Sequence, residues 1–184
     1  MMTELQTLTE LFHKSSVIEA HEDGKSFKLI LQEASAPTSR VEVTQIKGDF
    51  LAVNLDDNFN NEIIFSGAKG SCKRADYMLI SVAQKTVVFI EMKNSKGGTL
   101  QEKQQQLSGS RCFFDYCQSI LKHFFDETFI SDYQLRFALF LDTRMNKKRT
   151  RPKQGIALHD SPKSPLVLKG QRKLKLEFLL NPYS

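Results

Sequence analysis

Three side chains in the stretch KRADYMLISVAQKTVVFIEMKN could do chemistry together: Asp76 and, fifteen positions on, Glu91 and Lys93 around Met92. Two carboxylates brought side by side can share a hard divalent cation, and six-coordinate, oxygen-seeking Mg²⁺ normally keeps several waters that can be activated. A lysine ammonium beside them can stabilise the charge that grows on a pentavalent phosphorus, or orient and deprotonate the attacking water. Phosphodiester hydrolysis is the reaction that such a set suits.

The elements that must position these residues are two apolar runs, Ala75 to Val82 and Thr86 to Met92, rich in β-branched and aromatic residues and separated by Ala83-Gln84-Lys85. That pattern predicts a tight hairpin. A turn centred between Ala83 and Gln84 sets Asp76 opposite Glu91; a slip of one residue sets it opposite Met92, and one further opposite Lys93. Alternation places Val87, Phe89, Glu91 and Lys93 on one face and Val88, Ile90 and Met92 on the other, so the glutamate and the lysine point the same way. A carboxylate beside a core strand costs stability unless it is paired or metal-bound, which sets these charges apart from a solvated surface hairpin.

An acid on one strand followed by Glu-x-Lys on the next resembles the PD-(D/E)XK nuclease superfamily, of restriction-endonuclease-like fold. Asp76, Glu91 and Lys93 match its pattern, whereas Ala75 stands where many members carry proline. The resemblance covers Gly67 to about Asp142. It implies an α/β (α+β mixed-sheet) core and a Mg²⁺ (or Mn²⁺) cofactor held by Asp76, Glu91 and the Met92 carbonyl, with Lys93 as the transition-state residue. It also implies a glutamine at the start of the next helix, for which Gln104 is the choice, with Gln101 and Gln105 as substitutes. Helices early in the family sometimes add an acid, for which Glu4 and Glu10 are the candidates.

Composition bounds the rest. A chain of 184 residues, 40% hydrophobic and 26% charged, reads as a single domain over residues 1–184 with a sizeable core. With no apolar stretch of eighteen residues and no secretory leader, cytoplasmic residence is expected. Cys72, Cys112 and Cys117 are odd in number and lack CxxC spacing, so reduced thiols are expected. His13, His21, His123 and His159 show no ligand spacing. The net charge is +5, yet eleven Lys or Arg fall between Arg144 and Lys175 against one acid, Asp160. Such a basic segment suits a polyanion as partner. Arg144, Lys147, Lys148, Arg149 and Arg151 are therefore candidate phosphate contacts. Lys69, Lys73 and Arg74, in the glycine-broken loop before Asp76, and Lys96, in the turn after Lys93, join them. That loop lacks the spacing and following helix of a P-loop.

The scaffold reads as follows. A helix is predicted over Thr3 to Lys14, and strands over Phe27 to Gln32, Arg40 to Ile46 and Phe50 to Leu55, the last two joined at Lys47-Gly48-Asp49 as a hairpin. Ala34 to Ser39 and Asp56 to Asn61 are predicted loops. A long helix follows from about Thr99 to Phe125, with Leu107, Phe114, Cys117, Leu121 and Phe124 at helical spacing, and Phe113, Phe114, Phe124 and Phe125 are expected to be buried. Tyr133 to Asp142 is the crossover strand of an α/β sheet. Ile156 to Leu158, Leu166 to Leu168 and Leu174 to Leu180 complete the set as short strands.

The chain is thus expected to be a metal-dependent nuclease acting on DNA before RNA, with antiviral defence in bacteria as the role the resemblance suggests. Sequence specificity would come from a homodimer or a partner subunit, or be absent. The competing reading keeps the fold and drops the chemistry, leaving an inactive nucleic-acid-binding or assembly module.

Overall fold

The hairpin that carries Asp76, Glu91 and Lys93 takes the first of the three registers. In the computed structural model, which describes residues 2–33, 39–55, 64–93, 98–141 and 159–181, Tyr77–Ser81 pairs antiparallel with Thr86–Lys93 from Ser81 opposite Thr86 to Tyr77 opposite Ile90. Naming the strands in chain order, these are β5 and β6. The others are β1 (His21–Asp23), β2 (Ser26–Gln32), β3 (Arg40–Ile46), β4 (Phe50–Asn54), β7 (Gln134–Leu141), β8 (Leu166–Lys169) and β9 (Lys173–Lys175). The helices are α1 (Glu4–Leu11), α2 (Leu100–Phe124) and α3 (Leu176–Leu180).

Two sheets form an α+β fold with mixed strand directions. The larger runs β4-β5-β6-β7-β8, antiparallel from β4 to β6 and parallel from β6 to β8, so α2 is the crossover between parallel neighbours β6 and β7. The smaller runs β1-β2-β3-β9, with β9 parallel to β3. One face of the large sheet packs Val88, Ile90, Met92, Ala138 and Phe140 against Leu29, Leu31, Val41 and Val43 of the small sheet and against Phe178 and Leu179 of α3. The opposite face packs Met78, Ile80, Val87, Phe89 and Phe137 under α1 and α2, through Leu8, Leu107, Phe114 and Leu121. Phe89 stacks on Phe137 at 5.1 Å and meets Phe114 edge-on at 6.0 Å.

Thr99 starts α2 by accepting from the Glu102 amide while the Glu102 carboxylate accepts from the Thr99 amide, a reciprocal cap that fixes where the helix begins. Gly109 sits where α2 crosses the chain entering β5. A Cβ there would lie 1.6 Å from the Lys73 carbonyl oxygen, so only glycine permits the approach. The adjacent Ser110 hydroxyl accepts the Ala75 amide at 2.7 Å. Helix α2 and the chain entering β5 are therefore locked one residue before Asp76.

Several expectations are corrected. β3 and β4 do not form a hairpin: they lie in different sheets. The register between β2 and β3 shifts between Phe27 and Leu29, and Gln45 takes a left-handed φ of 56°, a bulge that turns the chain out of the small sheet. The chain then passes the turn between β5 and β6, where the Asp49 carbonyl accepts the Val82 amide at 3.0 Å. Leu174 to Leu180 is not a strand throughout but the end of β9 followed by α3. The first helix stops at Leu11, three residues short, where Phe12 turns extended. Phe124 is 83% exposed, and Phe113 and Phe125 are only half-buried, so of the four phenylalanines of α2 and its cap, Phe114 alone lies in the core. The predicted strand 156–158 and the loops 34–38 and 56–61 lie outside the described residues.

Candidate active site

Glu91 is the centre of the site and has no solvent exposure. It stands on β6, the middle strand of the large sheet, where alternation assigns it to the α2-side face with Val87 and Phe89. Lys93, two residues on, brings its Nζ to 2.9 Å from Glu91 Oε1, with its side chain 23% exposed. Asp76 falls one step beyond the Tyr77–Ile90 pair, opposite Glu91, and is 8% exposed. Its Oδ2 accepts the Met92 amide at 2.6 Å, a short charge-assisted bond across the mouth of the hairpin. The structure thus brings Asp76, Glu91 and Lys93 together. Met92 offers only its main chain there, because its side chain is buried in the opposite core.

Burial alone would lower the Lys93 pKa. The Glu91 carboxylate, by charge and hydrogen bond, and then the charges of Asp76 and Glu33, outweigh burial and hold it above its ordinary value. A lysine so held stays charged, which suits stabilising a developing negative charge and not abstracting a proton. Of these influences that of Glu33, just past β2, is the weakest. Glu4 and Glu10 do not join. Glu4 accepts the Tyr133 hydroxyl at 2.7 Å, and Glu10 lies exposed on α1.

A cavity of about 360 Å³ opens beside Lys93, lined by Cys72, Lys73, Arg74, Gly98, Glu102 and Gln106. Lys73 reaches Gln105 Oε1 at 3.2 Å and stands 3.9 Å from Glu102. The Gln104 amide donates to the Lys163 carbonyl at 2.8 Å, while Gln105 holds Lys73 and Gln106 lines the cavity. Gln101 is exposed. Arg74 turns inward, its guanidinium donating to the Leu55 and Cys72 carbonyls, so it braces the loop. Lys69 is exposed at a left-handed φ of 57°. Lys96, Arg144, Lys147, Lys148, Arg149 and Arg151 lie outside the described residues.

Among the described residues no three His, Cys, Asp or Glu side chains gather as a ready metal cluster. Mg²⁺ does not require one, since it is commonly held by one or two carboxylates with water and substrate phosphate filling its shell. Two hard carboxylates on facing strands, one of them fully buried, fit that donor set.

Cys72, Cys112 and Cys117 are free thiols. His159 is buried, its Nε2 bonded to the Leu179 carbonyl at 2.8 Å, as a packed residue and not a ligand. No helix among the described residues is long and apolar enough to cross a membrane. No protein-family model, no curated protein and no solved structure matches this chain.

Proposed function

We propose that the chain is a Mg²⁺-dependent nuclease of PD-(D/E)XK type that hydrolyses phosphodiester bonds of nucleic acid, DNA before RNA. One observation carries the reading: a fully buried glutamate on a central strand, opposite an aspartate and 2.9 Å from a lysine held in its charged form. The mixed sheet, with a helix crossing from the Glu-x-Lys strand to a parallel neighbour, is compatible with this reading and supports it at the level of fold class. Bound Mg²⁺ would lower the pKa of a water and neutralise phosphate charge. Asp76 and Glu91 would hold it, with the Met92 carbonyl as a third oxygen. Lys93 faces the charge that builds on the phosphorus, and its protonated state lets it act electrostatically. Lys73 and the adjoining cavity offer the next phosphate a place.

Purified protein with Mg²⁺ or Mn²⁺ should cut circular and linear DNA, and Asp76→Asn, Glu91→Gln and Lys93→Ala should each remove that activity. Cleavage surviving all three changes refutes the site. The inactive-module reading has an observation in its favour, since Glu91 already pairs with Lys93 and Asp76 with the Met92 amide. On that reading nucleic acid binds with steep salt dependence and is indifferent to metal.

A further inference from the structure

The loop that leads into Asp76 carries two adjacent apolar side chains in the open. Ile64 is 79% exposed and Phe65 57%, at the head of the run IFSGAKGSCKR, whose other members are small or basic. Apolar residues scattered singly over a surface are ordinary, whereas a contiguous apolar patch rimmed by polar groups marks a contact. The loop is also held in place. The Cys72 thiol donates to the Phe65 carbonyl at 3.5 Å, and the Gly70 and Lys73 amides donate to the Gly67 and Gly70 carbonyls, both at 3.0 Å. Gly70, at a φ of 79°, lies so close to α2 that a Cβ there would stand 2.9 Å from the Gln105 side chain. A ring presented by a preformed loop gives up little freedom when it binds.

Its surroundings indicate what it meets. Cys72, whose thiol fixes the Phe65 main chain, belongs to the wall of the cavity beside Lys93, together with Lys73 and Arg74. Lys69, four residues after Phe65, is exposed. Cations grouped around a cavity complement a phosphate backbone. A phenylalanine ring has no donor or acceptor to offer phosphate or sugar, so what it can take from a nucleic acid is the face of a base. Base faces are open to an aromatic side chain in an unpaired strand and are covered by their neighbours in a duplex. We propose that Phe65 stacks on a base of the substrate while Lys69 and Lys73 hold the backbone of the same strand, and that the substrate is taken up as single-stranded or locally unpaired nucleic acid. This rests on the nuclease reading and narrows its substrate class.

The test is fluorescence anisotropy in EDTA, where binding is read without cleavage, using a single-stranded DNA oligonucleotide of mixed sequence and the duplex made from it. The wild type should bind the single strand more tightly than the duplex. Phe65→Ala should lose about 5- to 150-fold on the single strand, the range for one base–aromatic stack, and little on the duplex. Phe65→Tyr keeps a ring and should recover most of the affinity. Lys69→Ala should weaken both ligands and lower the salt slope by about 1. Phe124→Ala removes a ring that is more exposed still, about 33 Å along α2 from Glu102, and should bind as the wild type does. All these side chains are exposed, so each variant should melt with the wild type. Wild-type single-strand affinity in Phe65→Ala, or an equal loss on both ligands, overturns the stacking role and leaves the nuclease reading standing where Mn²⁺ still supports cleavage. A wild type that binds neither ligand also overturns this inference, and cleavage with Mn²⁺ then decides the nuclease reading by itself.

Discussion

Replacing Gly109 by alanine tests how the site is held, and its size can be worked from the structure. The added Cβ would lie 1.6 Å from the Lys73 carbonyl oxygen, 2.8 Å from its carbonyl carbon and 3.6 Å from the Arg74 Cα. Cβ atoms essentially never come within 3.0 Å of such neighbours, so helix and loop must part by more than an ångström. The obstacle is main chain on both sides, and no rotamer change relieves it. Overpacking of this kind costs roughly 1–3 kcal/mol. Parting also breaks the 2.7 Å bond from the Ala75 amide to Ser110 and leaves a buried N–H unsatisfied, about 1–3 kcal/mol more. Gly109→Ala should therefore lose about 2–6 kcal/mol in urea unfolding. Because the displaced segment leads directly into Asp76, the proposed nuclease activity should also fall on the order of 10²-fold for an ångström of misplacement even where the variant stays folded. Ser108→Ala, one residue away on the exposed side of α2, is the control and should change neither quantity. A Gly109→Ala protein that unfolds like the wild type refutes the lock between α2 and the chain entering β5.

Two further expectations concern groups outside the site. Burial lowers the His159 pKa, and its Nδ1 is buried with no hydrogen-bond partner among the described residues, so protonation in the fold is disfavoured. The unfolded chain then binds the extra proton first: His159 contributes fully above its ordinary pKa of about 6.5 and less as pH falls below it. Urea unfolding from pH 7.5 to 5 should show that decline, and His159→Gln should flatten it; an unchanged slope rules His159 out. Burial pushes the Cys117 thiol up to about 12, whereas Cys112 is exposed on the same helix. Iodoacetamide on the native protein should label Cys112 while sparing Cys117, as peptide mass spectrometry would read, and equal labelling would contradict the packing of α2.

What was legible in the sequence follows from which physical signals are local. The hairpin was readable, and its register narrowed to three, because a three-residue polar break between two apolar runs leaves few turn centres, and period-two alternation then fixes which side chains share a face. The long helix and the crossover strand after it were readable for the same reason. Partner choice was not: β3 and β4 alternate alike whichever sheet they join, and only the bulge at Gln45 separates them. Gln104, Gln105 and Gln106 stand in succession, and on a helix three successive side chains fan over more than half a turn. Which of them faces the site depends on helix rotation, set by Gly109 and Ser110 against Lys73 and Ala75.

The Glu91–Lys93 pair decides between the two functional readings, since an ion pair kept for structure and one kept for catalysis respond differently when broken. Lys93→Met keeps the length of the side chain and removes its charge, leaving Glu91, with no exposure, opposite Asp76. Breaking a buried pair from one side costs about 3–5 kcal/mol, and the 23% exposure of Lys93 places this case at the low end, about 3 kcal/mol. Adding Glu91→Gln removes the stranded carboxylate and should restore most of that loss. Mn²⁺ then separates the readings. A divalent ion in the pocket supplies the positive charge that Lys93→Met lacks, so Mn²⁺ should raise the melting temperature of the single variant more than that of the wild type. The double variant, short of one ligand carboxylate, should gain little. On the inactive-module reading the three proteins melt at temperatures independent of Mn²⁺. That pattern would make the carboxylates of this hairpin internal partners of Lys93 and the Met92 amide and nothing more.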